Sequence, residues 1–162
     1  PNGKTLATGS QDGDVWIWDA VTGRKIRTLE GHKDYVLSLA FSRDGKWLVS
    51  ASADQTMKIW QAGLDREWAN LPGHSSNNSA AHDLEIRPDG RLIASLGRNG
   101  SVRLWDLDKK HDSLRKIFRF NKGVGAHHEV AFTPDGRHVV VANGNGTLWV
   151  LRLEEWSAMG SE

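Results

Sequence analysis

The chain contains no cysteine, so it has neither a disulfide framework nor a thiolate metal site. That suits a reducing, cytoplasmic setting. No apolar run approaches ~20 residues, so no helix could cross a bilayer. The first ten residues, PNGKTLATGS, lack the charged and apolar segments of a secretory signal, and an initiator Met. An excess of one charge is missing too. Lys and Arg number 21 against 20 Asp and Glu, and a formal charge of +1 gives no electrostatic support for a nucleic-acid or membrane partner. Leu, Ala and Glu do not recur at helical spacing, which removes the amphipathic helix as a building block.

What is present points to strands and turns. Eight of the 17 glycines stand in Asn-Gly or Asp-Gly pairs between short runs of β-branched and aromatic residues, and eight residues are tryptophan. Asp-Gly and Asn-Gly close tight hairpins because glycine reaches positive φ without steric cost. The composition predicts an all-β protein, and 162 residues suffice for one domain with a real core.

The chain repeats itself. Four turn signatures, Pro1-Asn2-Gly3-Lys4, Arg43-Asp44-Gly45-Lys46, Pro88-Asp89-Gly90-Arg91 and Pro134-Asp135-Gly136-Arg137, start 42, 45 and 46 residues apart. At fixed distances behind them fall Asp12, Asp54, Asn99 and Asn145, and then Trp18, Trp60, Trp105 and Leu151. Two marks in register across four units define a structural repeat. Each unit reads as strands a to d, inner to outer, in an antiparallel meander. Runs such as Val36-Leu37-Ser38-Leu39-Ala40-Phe41 do not alternate cleanly, as expected when both sheet faces are buried by neighbouring units.

The first unit starts at its a–b turn and the last has no evident strand d, giving 14 strands and about three and a half units. The predicted divisions are 1–30 (partial), 31–72 (complete), 73–121, 122–153 (partial) and a polar tail at 154–162. This organisation predicts a piece of a larger ring, with an artificial N-terminal boundary, a genuine C-terminal one and the rest of the ring upstream. Its open ends expose sheet faces and edges, so the isolated chain is expected to self-associate or aggregate.

Gly31-His32, Ser52, Asp54 and Ile59-Trp60, with Trp18-Asp19 and Trp105-Asp106, resemble the WD40-repeat β-propeller family, and the likeness extends to the C-terminal blades of a larger protein. The third unit keeps His74 and Trp105 but has Gly97 at the serine position and Asn99 at the aspartate. The fourth has Asn143, Asn145 and Leu151, with Gly123 near the histidine position. The resemblance implies an incomplete ring of four-stranded antiparallel blades. It also implies a rigid platform that binds proteins or peptides through the d–a and b–c loops or the central channel. By topology that surface would include Lys33, Asp34, Tyr35, Gln11, Gln55, Arg98 and the loop 72–80, with His82 and His128 at strand ends near the channel.

His32, Ser52 and Asp54 also supply the residue types of a hydrolase triad. Adding Trp60 closes a different inventory. An indole only donates, a hydroxyl and a neutral imidazole each do both, and a carboxylate only accepts. A directed chain Trp60 to Ser52 to His32 to Asp54 leaves no group idle and ties the d–a loop to the b–c turn. No G-x-S-x-G elbow surrounds Ser52. Ser10, Asp12 and Trp18, and His74 with Trp105, repeat parts of the set, which favours a structural tether and no catalytic residue.

The remaining candidates have plainer readings. His127-His128-Glu129 and His82-Asp83 align, but neighbours on a strand point to opposite faces, so no metal site is predicted. Lys109, Lys110, His111, Arg115, Lys116, Arg119 and Lys122, spaced by Phe118 and Phe120, could be a nucleic-acid surface. On an outer strand they are better understood as edge protection. Asp12-Gly13-Asp14 is too short for a calcium loop, and the glycine pairs at 123–125 and 144–146 lack the helix of a phosphate cradle. The sequence thus predicts a cofactor-free, non-catalytic protein-interaction scaffold. The alternatives are a regulatory or targeting domain of a larger enzyme, such as a bacterial serine/threonine kinase, and, least favoured, a Ser-His-Asp hydrolase.

Overall fold

A computed structural model describes residues 2–64, 66–74, 80–107, 109, 114–119 and 127–153, with His127 and His128 described in backbone only. The residues form four antiparallel sheets. The first is β1 (Thr5–Gly9), β2 (Val15–Asp19) and β3 (Lys25–Leu29). The second holds β4 (Val36–Phe41), β5 (Trp47–Ser52), β6 (Thr56–Gln61) and β7 (Glu67–Pro72). The third holds β8 (Ala81–Ile86), β9 (Leu92–Gly97), β10 (Ser101–Asp106) and β11 (Leu114–Arg119). The fourth is β12 (His127–Phe132), β13 (His138–Asn143) and β14 (Leu148–Arg152). Within each sheet the strands are neighbours in chain order, as tight turns between consecutive strands require.

The sheets stack in a row. β4 touches β8, and β8 touches β12, so the inner strands line up along one side, while β1 meets β4. Each sheet has a back face towards the preceding sheet and a front face towards the next. Val15 and Ile17 of the first front face pack on Leu48 and Trp60 of the second back face. Val49, Met57 and Ile59 meet Ile93 and Trp105. Ala94, Val102 and Leu104 meet Val130, Val139 and Val141. Every residue of β9 and β10 is buried, so the two-sided burial expected from the weak alternation is found in the central sheets. Each fully buried aliphatic side chain contributes about 1.5–3 kcal/mol, and the row is held mainly by these three layers.

Polar ties reinforce the inner side. The Ser38 hydroxyl donates to Asp83 Oδ1 (3.1 Å) and accepts from the Leu84 amide (3.3 Å). Asp83 Oδ2 in turn accepts the Val130 amide (2.8 Å), and Glu85 accepts that of Phe132. Side chains of one inner strand thus satisfy backbone donors of the next. The pairing of β8 with β9 shifts between Ala81 and Asp83, so His82 sits in a bulge. Strict alternation does not hold there, but the Asp83 carboxylate is already engaged.

Candidate functional site

The loops at one end of the row are bound to one another by the predicted tether, with one residue changed. The Trp60 indole donates to Ser50 Oγ (2.9 Å), not to Ser52. Ser50 Oγ lies 2.7 Å from His32 Nε2, and His32 Nδ1 lies 2.9 Å from Asp54 Oδ2. Because indole only donates and carboxylate only accepts, the polarity is fixed. Ser50 donates to Nε2, and the Nδ1 proton goes to Asp54. Ser50 is 0% exposed and His32 7%.

Register decides between the two serines. Both point to the back face of β5, but Leu48 stands opposite Trp60, so the indole reaches one diagonal step, to Ser50, and no further. Ser52 instead builds the turn. Its hydroxyl donates to the Asp34 carbonyl (2.9 Å) and accepts the Asp54 amide (3.0 Å).

The same correction holds in the other sheets. Trp18 donates to Thr8 Oγ1 (2.8 Å), whereas Ser10 accepts the Asp12 amide and Asp12 itself is exposed. In the third sheet the serine is not lost to Gly97. Ser95 takes the Trp105 indole (2.8 Å) and lies 2.8 Å from His74 Nε2. His74 Nδ1 then meets Ser101 Oγ (2.8 Å), which donates to Asn99 Oδ1 (2.7 Å). Gly97 has a different task, since a Cβ there would fall 2.2 Å from His74 Nδ1. In the fourth sheet Val141 and Leu151 occupy the serine and tryptophan positions. Asn143 there bonds within its own turn, to Thr147 (3.1 Å). Gly123 lies outside the described residues. The hydroxyls Thr8, Ser50 and Ser95 were findable, because they recur at the 42- and 45-residue offsets already established.

The electrostatics suit a structural network. Burial pushes the His32 imidazole below its usual range, only partly offset by Asp54, and holds it neutral. His74 is driven down to about 3 by burial and by the nearby Arg103 guanidinium. Burial would raise Asp54, but hydrogen bonds from Thr56, the Lys33 amide and His32 outweigh it and lower the carboxyl to about 2. Ser50, His32 and Asp54 therefore have the connectivity of a nucleophile triad. The Ser50 oxygen, however, accepts the Trp60 N–H and is sealed from solvent.

The family model described as "WD domain, G-beta repeat" matches residues 1–19, 23–61 and 66–106, more than half of the chain. The chain belongs to the WD40 family. Protein LST8 homolog of Drosophila melanogaster is 28% identical over 161 residues, covering 97% of this chain and 37% of that protein. Transcription initiation factor TFIID subunit 5 of Caenorhabditis elegans is 30% identical over 154 residues, 95% of this chain and 16% of the relative. The β-propeller domain of Myceliophteria thermophila Cps50 (Swd1) superposes with a TM-score of 0.79 at 21% identity, covering 93% of this chain and 50% of that one. The fold is thus a WD40 propeller segment of unclosed sheets. It spans about a third or less of the length of these curated relatives.

The tether arranges one end of this WD40 segment. Lys33 donates its amide to Asp54, Ala53 donates to the Tyr35 carbonyl (2.9 Å), and Val36 donates to the Ser10 carbonyl (3.1 Å). Gln11, Lys33, Asp34 and Tyr35 are exposed there, Tyr35 by 51%. Gln55 is half-buried, and its carbonyl accepts the Gly73 amide (2.9 Å). Arg98 is exposed on the β9–β10 turn, and His82 is half-buried on β8, whose first residue pairs with Gly97. The His128 side chain and residues 75–79 lie outside the described residues. Of the basic run, Arg115 pairs with Asp106 and Lys116 lies 5.0 Å over the Phe118 ring. Lys110, His111, Phe120 and Lys122 are outside the described residues. Among the described residues no three of His, Asp and Glu are grouped to hold a metal ion.

Proposed function

We propose that this WD40 segment is a non-catalytic scaffold for protein–protein interaction, docking a protein or peptide through the loop surface of Gln11, Lys33, Asp34, Tyr35, Gln55 and Arg98. The carrying observation is the buried Trp60–Ser50–His32–Asp54 chain, which spends its polar groups on fixing those loops. Fixed loops bind with little loss of conformational freedom. One relative is by name a subunit of TFIID, which fits a role in assemblies. The cysteine-free composition is compatible with the cytoplasm, and that location belongs to the proposal.

The reading is tested with a partner captured from the source cells and then purified. Lys33→Glu with Tyr35→Ala should weaken its binding at least tenfold without changing the melting temperature. Unchanged affinity would remove this surface from the proposal. A fluorophosphonate probe is expected to label neither Ser50 nor Ser52, and covalent labelling would revive the hydrolase reading.

A further inference from the structure

The repeat makes the three spaces between neighbouring sheets directly comparable at the end away from the tethered loops. Thr5, Trp47 and Leu92 are equivalent, each standing opposite the last residue of the next strand, Asp19, Gln61 and Asp106. Ile26 and Trp68 are equivalent too, each in the bulge of its outer strand. On the facing sheet Ala62, Leu107 and Leu153 correspond. Each donates its amide to the carbonyl of the last residue of a turn signature, Lys46, Arg91 and Arg137 (2.7, 2.9 and 2.7 Å).

Two of the three spaces are filled. Between the second and third sheets Trp47 and Trp68, their ring centroids 5.0 Å apart, pack in one cluster with Leu107, which is 0% exposed. Between the third and fourth, Leu92 and Leu153 share a cluster at 4% and 9% exposure. Between the first and second sheets the same places hold Thr5, Ile26 and an exposed Ala62, each smaller than the counterparts just named. A cavity of about 80 Å³ opens there, walled by Ile17, Leu29, Leu48 and Trp60. Ile26 and Leu64 also line it and are 45% and 43% exposed. Among its described lining residues the one charge is that of Arg27. Both walls belong to described sheets, and Ile26 and Leu64 lie on the outer side, on β3 and the β6–β7 turn, away from the inner strand β1.

We infer that this cavity docks an aromatic side chain of a protein partner, with an acidic residue beside that ring meeting Arg27. The molecule itself shows what fits, because in the next space the equivalent room is taken by indoles. An enclosed apolar cavity of about 150 Å³ admits a whole benzene. This smaller one is open, so it receives the inner part of a ring while the rest covers Ile26 and Leu64. Burying that apolar surface drives the docking, and the guanidinium selects a neighbouring carboxylate. β6 runs from the Asp54 turn to Gln61, which lines the cavity, so the site lies at the opposite end of the sheet from Lys33 and Tyr35. This second docking site goes beyond the loop surface and does not depend on it.

Saturation-transfer NMR with indole-3-acetate as the probe tests it, and saturable transfer to the ring protons is expected. Ala62→Leu, which copies Leu107, and Thr5→Trp, which copies Trp47, should each weaken binding at least tenfold. Neither replaced side chain is fully buried, so the far-UV spectrum should not change. Arg27→Gln should weaken indole-3-acetate by about two- to fivefold and leave uncharged 3-methylindole unaffected. Lys33→Glu with Tyr35→Ala should leave probe binding intact, which separates this site from the loop surface. Absence of saturable transfer, or transfer undiminished in both Ala62→Leu and Thr5→Trp, would overturn the proposal. Transfer lost in the loop variant but kept in Ala62→Leu would overturn it as well, since the ring would then sit on the loops.

Discussion

Replacing Ser50 with alanine should cost far more stability than replacing Ser52, although the two serines lie two residues apart and are both 0% exposed. Ser50→Ala removes the acceptor of the Trp60 indole and the donor to His32 Nε2, and both orphans stay buried beside a 2% exposed tryptophan. A buried polar group left without its partner costs about 1–3 kcal/mol, so two of them cost about 2–6 kcal/mol. Ser52→Ala releases the Asp34 carbonyl and the Asp54 amide at the rim, where Asp34 is exposed and water can replace the hydroxyl. That loss should stay near ~1 kcal/mol. Urea unfolding followed by tryptophan fluorescence reads the difference. With a slope of ~2–3 kcal/mol/M, Ser50→Ala lowers the midpoint by about 0.7–3 M and Ser52→Ala by about 0.5 M or less. Ser50→Thr restores the hydroxyl, as Thr8 supplies it in the first sheet, and should recover part of the loss. Equal midpoints for the two alanine variants, or a larger effect at Ser52, would refute the assignment of the tether to Ser50.

Three further outcomes follow from the same geometry. His74 is held neutral, with its folded value near 3 against 6.5 for the free group. The stability it contributes is complete above about pH 6.5 and is lost as pH falls towards 3, at up to about 1.4 kcal/mol per pH unit. His32 acts in the same direction, and Asp54 extends the loss between 3.8 and about 2. A urea midpoint that stays flat from pH 7.5 to 4.5 would contradict this. Asp83→Ala removes a charged acceptor from Val130 N–H and a partner of Ser38, about 1.5–3 kcal/mol. Amide exchange at Val130 should accelerate tenfold or more, and unaltered protection would show that the inner-strand ties are incidental. Gln55 has a φ of 70°, whereas Gly13, Gly100 and Gly146 fill its position in the other sheets. Gln55→Gly should therefore raise stability by about 1 kcal/mol, and a lower melting temperature would show that the side chain holds the turn.

How much could be read without coordinates differs between fold and site. The all-β class and the grouping of strands were legible because Asp-Gly and Asn-Gly turns and the tryptophan marks recur at fixed spacing, and hairpin geometry depends on local residues. His32, Asp54, Trp60, His74 and Trp105 were legible for a related reason: their hydrogen-bonding capacities permit few closed chains. The serine was not. Ser50 and Ser52 share a strand face and a chemistry, and capacity alone cannot separate them. Nor did the sequence show that the Ser101 hydroxyl bridges His74 and Asn99, accepting from Nδ1 and donating to Oδ1, because that depends on a diagonal approach between turns.

The sequence by itself determined the repeat, the strand order within each sheet and the residue types available for a tether, all of which follow from short-range chemistry. Tertiary structure decided which hydroxyl the indole meets and which backbone amides the inner-strand carboxylates receive. It also decided which apolar faces are covered. Those depend on how sheets tens of residues apart come to lie against one another. Met57 and Leu148 illustrate the division, since they hold the same place in the repeat, yet one is 0% exposed and the other 66%. Among the described residues a sheet packs against the first and none against the second.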